Sequence, residues 1–383
     1  MGWRIEFLAT APPEESSSGL SRVIWELAVR LVRRGHRVRV LYPSPEGSDP
    51  TTAYSGVDRV AVPLVGVSRR PFGRDIAIGK NASTLLDPAA DLVLGNDEKA
   101  GALSLPRGAV STYGYFVHDV ALHTFDTLRS NGGASSLRQR FGNAIDRMAL
   151  RRLEGNAISR ASRVVVASEL NRTLLERYYH PPAERVAMLP IGVPDPIDLG
   201  TKEECRLALR VPPDVPVVSF IGRTPERQGL DIALDAFRRV RSIFPGSRFL
   251  VVGSTPATEP GVMPLGVADE PTKARVLRAS DVFLFPSRYE GFGLAPREAM
   301  RYGLPTIVSR HVPMDGVDPE HAVRRVDTDD SQECARELAE LFADPALRRT
   351  IGELGQRWAD RFTFDRMAEA FEATFRPVVR APS

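Results

Sequence analysis

Two glutamates, Glu290 and Glu298, stand eight positions apart in the segment Pro-Ser-Arg-Tyr-Glu-Gly-Phe-Gly-Leu-Ala-Pro-Arg-Glu-Ala-Met-Arg-Tyr-Gly, residues 286–303. Gly291 and Gly293 lie between them. These residue types suit a ligand that is both phosphate and sugar. Glycines let a ligand approach the backbone closely. The N–H groups of a helix N-terminus attract phosphate. A carboxylate accepts two hydrogen bonds from a diol such as ribose. The elements that must position them are also legible. The apolar run 282–285 reads as a buried strand. Pro296 suits a first helical turn and Gly303 stops the helix. The expectation is strand, glycine loop, helix, with Glu290 at the loop entrance and Glu298 inside the first turn. An acidic helix start explains Glu298 through the dipole alone. It does not explain Glu290, the two glycines and the strand together.

A second loop, Gly222-Arg223-Thr224-Pro225-Glu226-Arg227-Gln228-Gly229, follows the apolar run 217–221 and precedes a helical pattern. Arg223 there can hold a diphosphate bidentately. A solvent-facing loop arginine is the plainer reading for Arg223, and still more so for Arg227.

The string Glu290-Gly291-Phe292-Gly293-Leu294 followed by Glu298-Ala299-Met300 resembles the signature of retaining, GT-B-fold glycosyltransferases of family four, which use nucleotide-diphosphate sugars. The resemblance covers nearly the whole chain. It implies an α/β GT-B fold of two Rossmann-like, doubly wound domains with an interdomain cleft, the acceptor held mainly by the first domain and the donor by the second. It further implies that both cations of a Gly-Arg…Lys-Gly pattern reach the diphosphate. Gly222 and Arg223 match the first half; Gln228 stands where the lysine belongs, with Arg227 one place earlier. Either Arg227 swings in, or the site has one charge fewer. The family's glycine pair after the first strand is represented here by Gly19 alone, behind three serines that also suit a helix N-cap. His118, after the strand-like run 113–117, resembles the family's cleft histidine, which contacts the transferred sugar. A histidine held by backbone at a strand end is the plainer alternative, and His123 is nearby.

Length and composition agree with two domains. The 383 residues are 43% hydrophobic and 26% charged, with a formal net charge of +3. That balance suits anionic substrates and lacks the basic stripe of a dedicated nucleic-acid binder. Cys205 and Cys334 form neither a disulfide framework nor a metal spacing, so a reducing, cytoplasmic setting is the simplest reading. No run approaches the roughly 18 apolar residues of a membrane span, and the apolar run 5–10, interrupted by Glu6, reads as a strand rather than a signal peptide. The basic face on Arg30, Arg33, Arg34 and Arg37 reads as solvated surface, with peripheral membrane docking as the second reading.

Strand and helix patterns alternate along the chain, which predicts parallel sheets covered by helices. Strands are expected at 4–9, 37–42, 57–63, 91–95, 109–113 and 163–167, then at 217–221, 248–252, 282–285 and 305–308. An amphipathic helix with Val23, Ile24, Leu27 and Leu31 on one face joins the first two. A long helix is expected over 135–160. Further helices follow at 230–240, 272–279, 296–302, 332–342, 346–361 and 365–375. The Pro/Gly-rich stretch 189–196 reads as the linker. The expected boundaries are 1–193 for the acceptor domain, 194–364 for the donor domain, and 365–383 for a last helix returning to the first.

Cleaving a sugar–phosphate bond places negative charge on the leaving diphosphate, which needs a metal or fixed cations and amides. Arg223, Arg227 and the amides of Gly291, Phe292, Gly293 and Leu294 can serve. Glu298 then holds ribose hydroxyls and Glu290 a hydroxyl of the transferred sugar. Asp327 and Asp329 have the Asp-x-Asp form that binds metal in other glycosyltransferases, but read as a helix cap before Gln332. The expectation is a metal-independent transferase without cofactor, acting from a nucleotide-diphosphate sugar onto a saccharide, lipid-linked or small-molecule acceptor. Retention is implied by the resemblance. A nucleotide-sugar epimerase and a sugar-nucleotide-binding auxiliary subunit are the alternatives, the latter kept open by Gly19 and Gln228.

Overall fold

The computed structural model describes residues 2–12, 19–44, 54–68, 72–97, 99–104, 112–130, 137–255, 259–317 and 321–379. The chain forms two units, one of residues 1–192 with 364–383, the other of residues 193–363.

Seven parallel strands make the sheet of the first unit: β1 (Arg4–Leu8), β2 (Arg37–Ser44), β3 (Asp58–Pro63), β4 (Leu92–Asn96), β5 (Thr112–Val117), β6 (Arg163–Val166) and β7 (Val186–Met188). Their order is β3-β2-β1-β4-β5-β6-β7. Strands buried on both faces read as continuous apolar runs, and Ile5, Phe7, Val38, Val40, Leu92 and Val93 are all buried. The helix Gly19–Arg33 buries Val23, Ile24, Leu27 and Leu31, at roughly 1.5–3 kcal/mol of transfer free energy for each large side chain. The helix Phe364–Phe375 packs against it. Its Phe371 lies 5.7 Å from Phe7, and Glu372 receives Arg34 at 2.7 Å and His36 at 2.9 Å. Arg30 pairs with Glu26 at 2.8 Å and Arg37 with Asp58 at 3.8 Å. Three of the four arginines expected to form a basic face thus meet carboxylates of their own unit.

Six parallel strands form the second sheet: β8 (Val217–Ile221), β9 (Arg248–Val252), β10 (Val262–Gly266), β11 (Val282–Phe285), β12 (Thr306–Ser309) and β13 (Arg324–Val326). The order is β10-β9-β8-β11-β12-β13. Strand order reverses between β8 and β11, and β1 and β4 hold the same position in the first sheet. In doubly wound sheets ligands bind beyond the carboxyl ends of strands at such a switch point.

The strand expected over 109–113 is a correction: β5 spans Thr112–Val117, and residues 105–111 lie outside the described residues. The continuous apolar-aromatic run from Tyr113 onward, rather than the preceding Gly-Ala-Val, is what the sheet buries. β10 is a half-exposed edge strand whose register shifts between Pro264 and Gly266, and proline is tolerated at sheet edges, so its sequence carries little strand signal. Helices Gly73–Ser83, Ala121–Ser130 and Glu169–Tyr179 add to those expected. Among the described residues no helix is long and apolar enough to cross a membrane.

Candidate active site

The loops after β8 and β11 are neighbours because their parent strands pair, with Val282 opposite Val218 and Phe283 opposite Ser219. Gly229 caps the short helix Pro225–Gln228 in a left-handed conformation, φ 73°. A Cβ there would lie 2.1 Å from the carbonyl oxygen of Pro286, so only glycine allows this approach. Further contacts lock the two loops. The N–H of Arg288 donates to the carbonyl of Arg227 at 2.8 Å, and Ser287 Oγ donates to the same carbonyl at 3.2 Å. Arg288 reaches both oxygens of Asp231 at 2.9 and 2.8 Å and the carbonyl of Glu226 at 2.6 Å.

Glu290 sits at this junction, 5% exposed. Its Oε1 accepts from Gln228 Nε2 at 3.1 Å and lies 3.5 Å from Arg227 Nη2. The carbonyl of the Gln228 side chain accepts from Thr224 N–H at 3.0 Å. Gly222 is buried and its N–H donates to Val252 at 2.9 Å, whereas Arg223 is exposed beyond the strand. Arg227, Gln228 and Glu290 are therefore brought together, with Gly222 and Arg223 on the same loop.

The helix begins earlier than its sequence suggests. It spans Leu294–Arg301, with Gly293 as N-cap at φ 76°. Glu298 is thus its fifth residue rather than part of the first turn, and the first turn carries no acid. The cause is Gly293: a left-handed cap starts the helix at once, and a Cβ there would meet Val312 at 2.7 Å. The helix dipole alone no longer accounts for Glu298, which is 8% exposed. Burial pushes the hydroxyl of Tyr302, one turn on, upward in pKa against the Ile197 N–H that it accepts, and the charge of Glu298 adds to that push.

Arg297 is the residue that sequence reasoning missed. It is 1% exposed. Its guanidinium donates to the carbonyls of Phe292, of Gly293 at 3.2 Å and of Pro313 at 3.0 Å, and lies 3.8 Å from the Phe292 ring centroid. Burial pulls its pKa down to about 9. Arg297 thereby fixes the carbonyls of Phe292 and Gly293 in the loop. The Phe292 side chain is buried beneath it, so Phe292 offers a ligand its backbone only. Leu294 is half-buried and Gly291 buried.

Asp327 and Asp329 are not the helix cap. Asp330 caps Ser331–Ala343, accepting from Gln332 and Glu333 N–H at 2.9 Å each. Asp330 is the residue that stands directly before the helix, whereas Asp329 has left-handed backbone at φ 68°. Asp327 instead pairs with Arg310 at 2.5 Å and Asp329 with Arg288 at 2.8 Å. Among the described residues no group of three or more His, Cys, Asp and Glu is placed to hold a metal ion.

In the first unit Gly19 is exposed at the start of its helix, and residues 13–18, with the three serines, lie outside the described residues. His118 follows β5. Its carbonyl accepts from Asn171 Nδ2 at 2.6 Å, and its Nδ1 lies 3.5 Å from Asp119 Oδ1. Behind it Glu154 is fully buried. Its carboxyl accepts from Ala121 and Leu122 N–H at 3.0 and 3.3 Å and from Tyr179 Oη at 2.6 Å. Burial pushes that carboxyl up to about 7, against the hydrogen bonds it receives.

Two family models match the chain: "Glycosyltransferase Family 4" over residues 17–195 and "Glycosyl transferases group 1" over residues 215–344. The chain belongs to glycosyltransferase family 4. This family 4 chain is 32% identical over 252 residues to the D-inositol 3-phosphate glycosyltransferase of Segniliparus rotundus, covering 59% of the chain and 55% of that relative. The chain spans little more than half the length of the first relatives it matches. Solved structures resemble it over nearly its full length. Sucrose-phosphate synthase from Thermosynechococcus elongatus superposes with a TM-score of 0.80 at 20% identity, covering 98% of this chain and 99% of that one. Anabaena Alr3699/HepE in complex with UDP and glucose gives 0.74 at 18%, covering 98% and 100%. The fold of this family 4 chain is GT-B, built from two parallel, Rossmann-like sheets.

Proposed function

We propose that the protein transfers a glycosyl group from a nucleotide-diphosphate sugar to a hydroxyl acceptor, with retention of anomeric configuration and without a metal ion. The observation that carries this reading is Glu290: a nearly buried carboxylate held by Gln228 and flanked by Arg227 at the mouth of a glycine-capped helix. A buried carboxylate of this kind needs partners, and a sugar hydroxyl is a further donor of suitable chemistry. Residues 193–363 take the donor and the first unit the acceptor. Glu298 accepts from the ribose hydroxyls. The amides of Gly291 to Leu294, together with Arg223, neutralise the diphosphate as the bond breaks. His118 contacts the transferred sugar.

The solved neighbour that holds UDP and glucose on a like fold supports the donor class. Family 4 membership supports retention, the acceptor attacking on the face from which the diphosphate departs. Glu290 then stabilises the sugar in place and is not a nucleophile. Gln228 supplies no charge where the family has lysine; Arg227, with its guanidinium 3.5 Å from Glu290, supplies it instead.

The test is to incubate the protein with UDP-, GDP- and TDP-sugars and follow the anomeric proton of the product by NMR. The expected result is release of nucleoside diphosphate and an α-configured product or free sugar from an α-linked donor. Initial formation of the β anomer would overturn retention.

A further inference from the structure

We propose that Arg297 is a positioning residue for the donor: it holds the loop 291–294 in the shape that receives a nucleoside diphosphate, without touching the ligand itself. This inference rests on the transferase reading and adds a residue to its donor site. Packing alone gives no reason for an arginine at this place. Phe292, Trp358 and Phe362 set their ring centroids 3.8, 5.0 and 5.3 Å from the guanidinium carbon, and the Trp358 and Phe362 rings lie 4.7 Å apart. An apolar side chain would fill this box without the cost of burying a charge.

The hydrogen bonds supply the reason. Nη1 donates to the carbonyls of Phe292 and of Gly293, the latter at 3.2 Å, and Nη2 donates to that of Pro313 at 3.0 Å. Two of the three acceptors belong to the loop, and the third lies beyond β12. The guanidinium fork therefore ties the loop to a separate segment, with a geometry that a lysine ammonium lacks. The loop needs such a tie. Gly293 holds φ 76°, Gly291 stands two residues before it, and glycine loses more conformational freedom on ordering than any other residue. A loop left loose is ordered only when the ligand binds, at a cost in affinity. Amides already in place need no reorganisation as charge develops on the departing diphosphate. Arg297 is only 1% exposed, so its effect reaches a ligand through the loop.

The experiment compares the full chain with Arg297→Met and Arg297→Lys. Each protein is titrated with UDP, GDP and TDP by calorimetry and with the matching nucleosides by saturation-transfer NMR, and thermal unfolding is followed in parallel. Methionine fills the box and removes the donors. It should weaken the best-bound diphosphate about tenfold and the nucleoside less than about threefold, because only the diphosphate must order the loop. Lysine should recover part of the loss, since it keeps the charge and lacks the fork. Should the methionine variant not fold, the lysine variant decides, with the diphosphate weakened and the nucleoside unaltered. An equal loss for nucleoside and diphosphate, as a merely structural residue would give, overturns the inference. So do full diphosphate affinity in either variant and failure of both to fold. If the unaltered protein binds no nucleoside diphosphate, the transferase reading fails and takes this inference with it. Binding that both variants keep defeats the role of Arg297 alone.

Discussion

Gln228 donates its side-chain amide to Glu290 at 3.1 Å while its side-chain carbonyl accepts the N–H of Thr224 at 3.0 Å. One neutral side chain thereby ties the loop after β8 to the acid after β11 and orients both. Replacing it tests whether that tie matters. Gln228→Ala should weaken nucleoside diphosphate binding by about 1 kcal/mol, the usual net worth of a hydrogen bond. Gln228→Glu should be worse, because it sets a second carboxylate against Glu290. Calorimetric titration with UDP, GDP and TDP compares them; a glutamate variant that binds like the original protein contradicts the arrangement.

Arg223 stands exposed on the loop directly after β8, where a guanidinium can take a diphosphate bidentately. Arg223→Ala should lower kcat roughly 100-fold, as loss of one transition-state donor commonly does. Arg223→Lys should restore part of it, since a point charge lacks the fork geometry. Steady-state kinetics on the alanine variant decide the matter, and full activity rules the role out.

Glu298 is nearly buried on the helix that Gly293 caps. Removing it leaves a bound ribose diol without its acceptor. Glu298→Ala should weaken the free nucleoside diphosphate by about 1–3 kcal/mol. The same variant should leave the affinity for the sugar alone unaltered. Equal binding of nucleotide by variant and parent removes the ribose assignment.

Glu154 gives the first unit a pH-dependent stability. Its carboxyl titrates at about 7 in the folded protein against an ordinary value of 4.5. Between those values the folded state binds more protons than the unfolded state, so stability falls as pH rises. The contribution is complete below pH 4.5 and lost above pH 7. The span corresponds to a change on the order of 3 kcal/mol. Urea denaturation of the protein at pH 5 and pH 7.5 should show the loss. Glu154→Gln should flatten the slope, though at lower stability throughout, because its NH₂ replaces one of the two oxygens and so faces either the Ala121 N–H or the Leu122 N–H and Tyr179 hydroxyl. An unchanged slope in that variant assigns the pH dependence elsewhere.

The core strands were readable because they are buried on both faces: 282–285 is wholly apolar, 217–221 is apolar apart from Ser219 and 248–252 apart from its first residue, Arg248, and the bounds of β8, β9 and β11 agree with them. The edge strands β10 and β13 were not, because a half-exposed edge with proline or two arginines has no apolar signature. The Glu290–Glu298 segment announced a loop and helix, yet the helix start was misread at Pro296. Pro296 does lie in the first turn, but the left-handed Gly293 starts the helix two residues before it. Arg297 was illegible for a different reason. Arginine is almost never fully buried unless paired, and its three carbonyl partners come from Phe292, Gly293 and the distant Pro313. Only the folded chain brings these together. Arg288 is similar, joining Asp231 and Asp329 across the fold.

The central claim is glycosyl transfer from a nucleotide-diphosphate sugar by fixed cations and amides. It is tested most directly by measuring nucleoside diphosphate release from UDP-, GDP- and TDP-sugars in the presence of excess EDTA. The account predicts release from at least one donor, within about twofold of the rate with Mg²⁺, far less than the several kcal/mol that a Lewis-acid metal supplies. Absence of release from every donor, or complete loss in EDTA restored by Mg²⁺ or Mn²⁺, would contradict it.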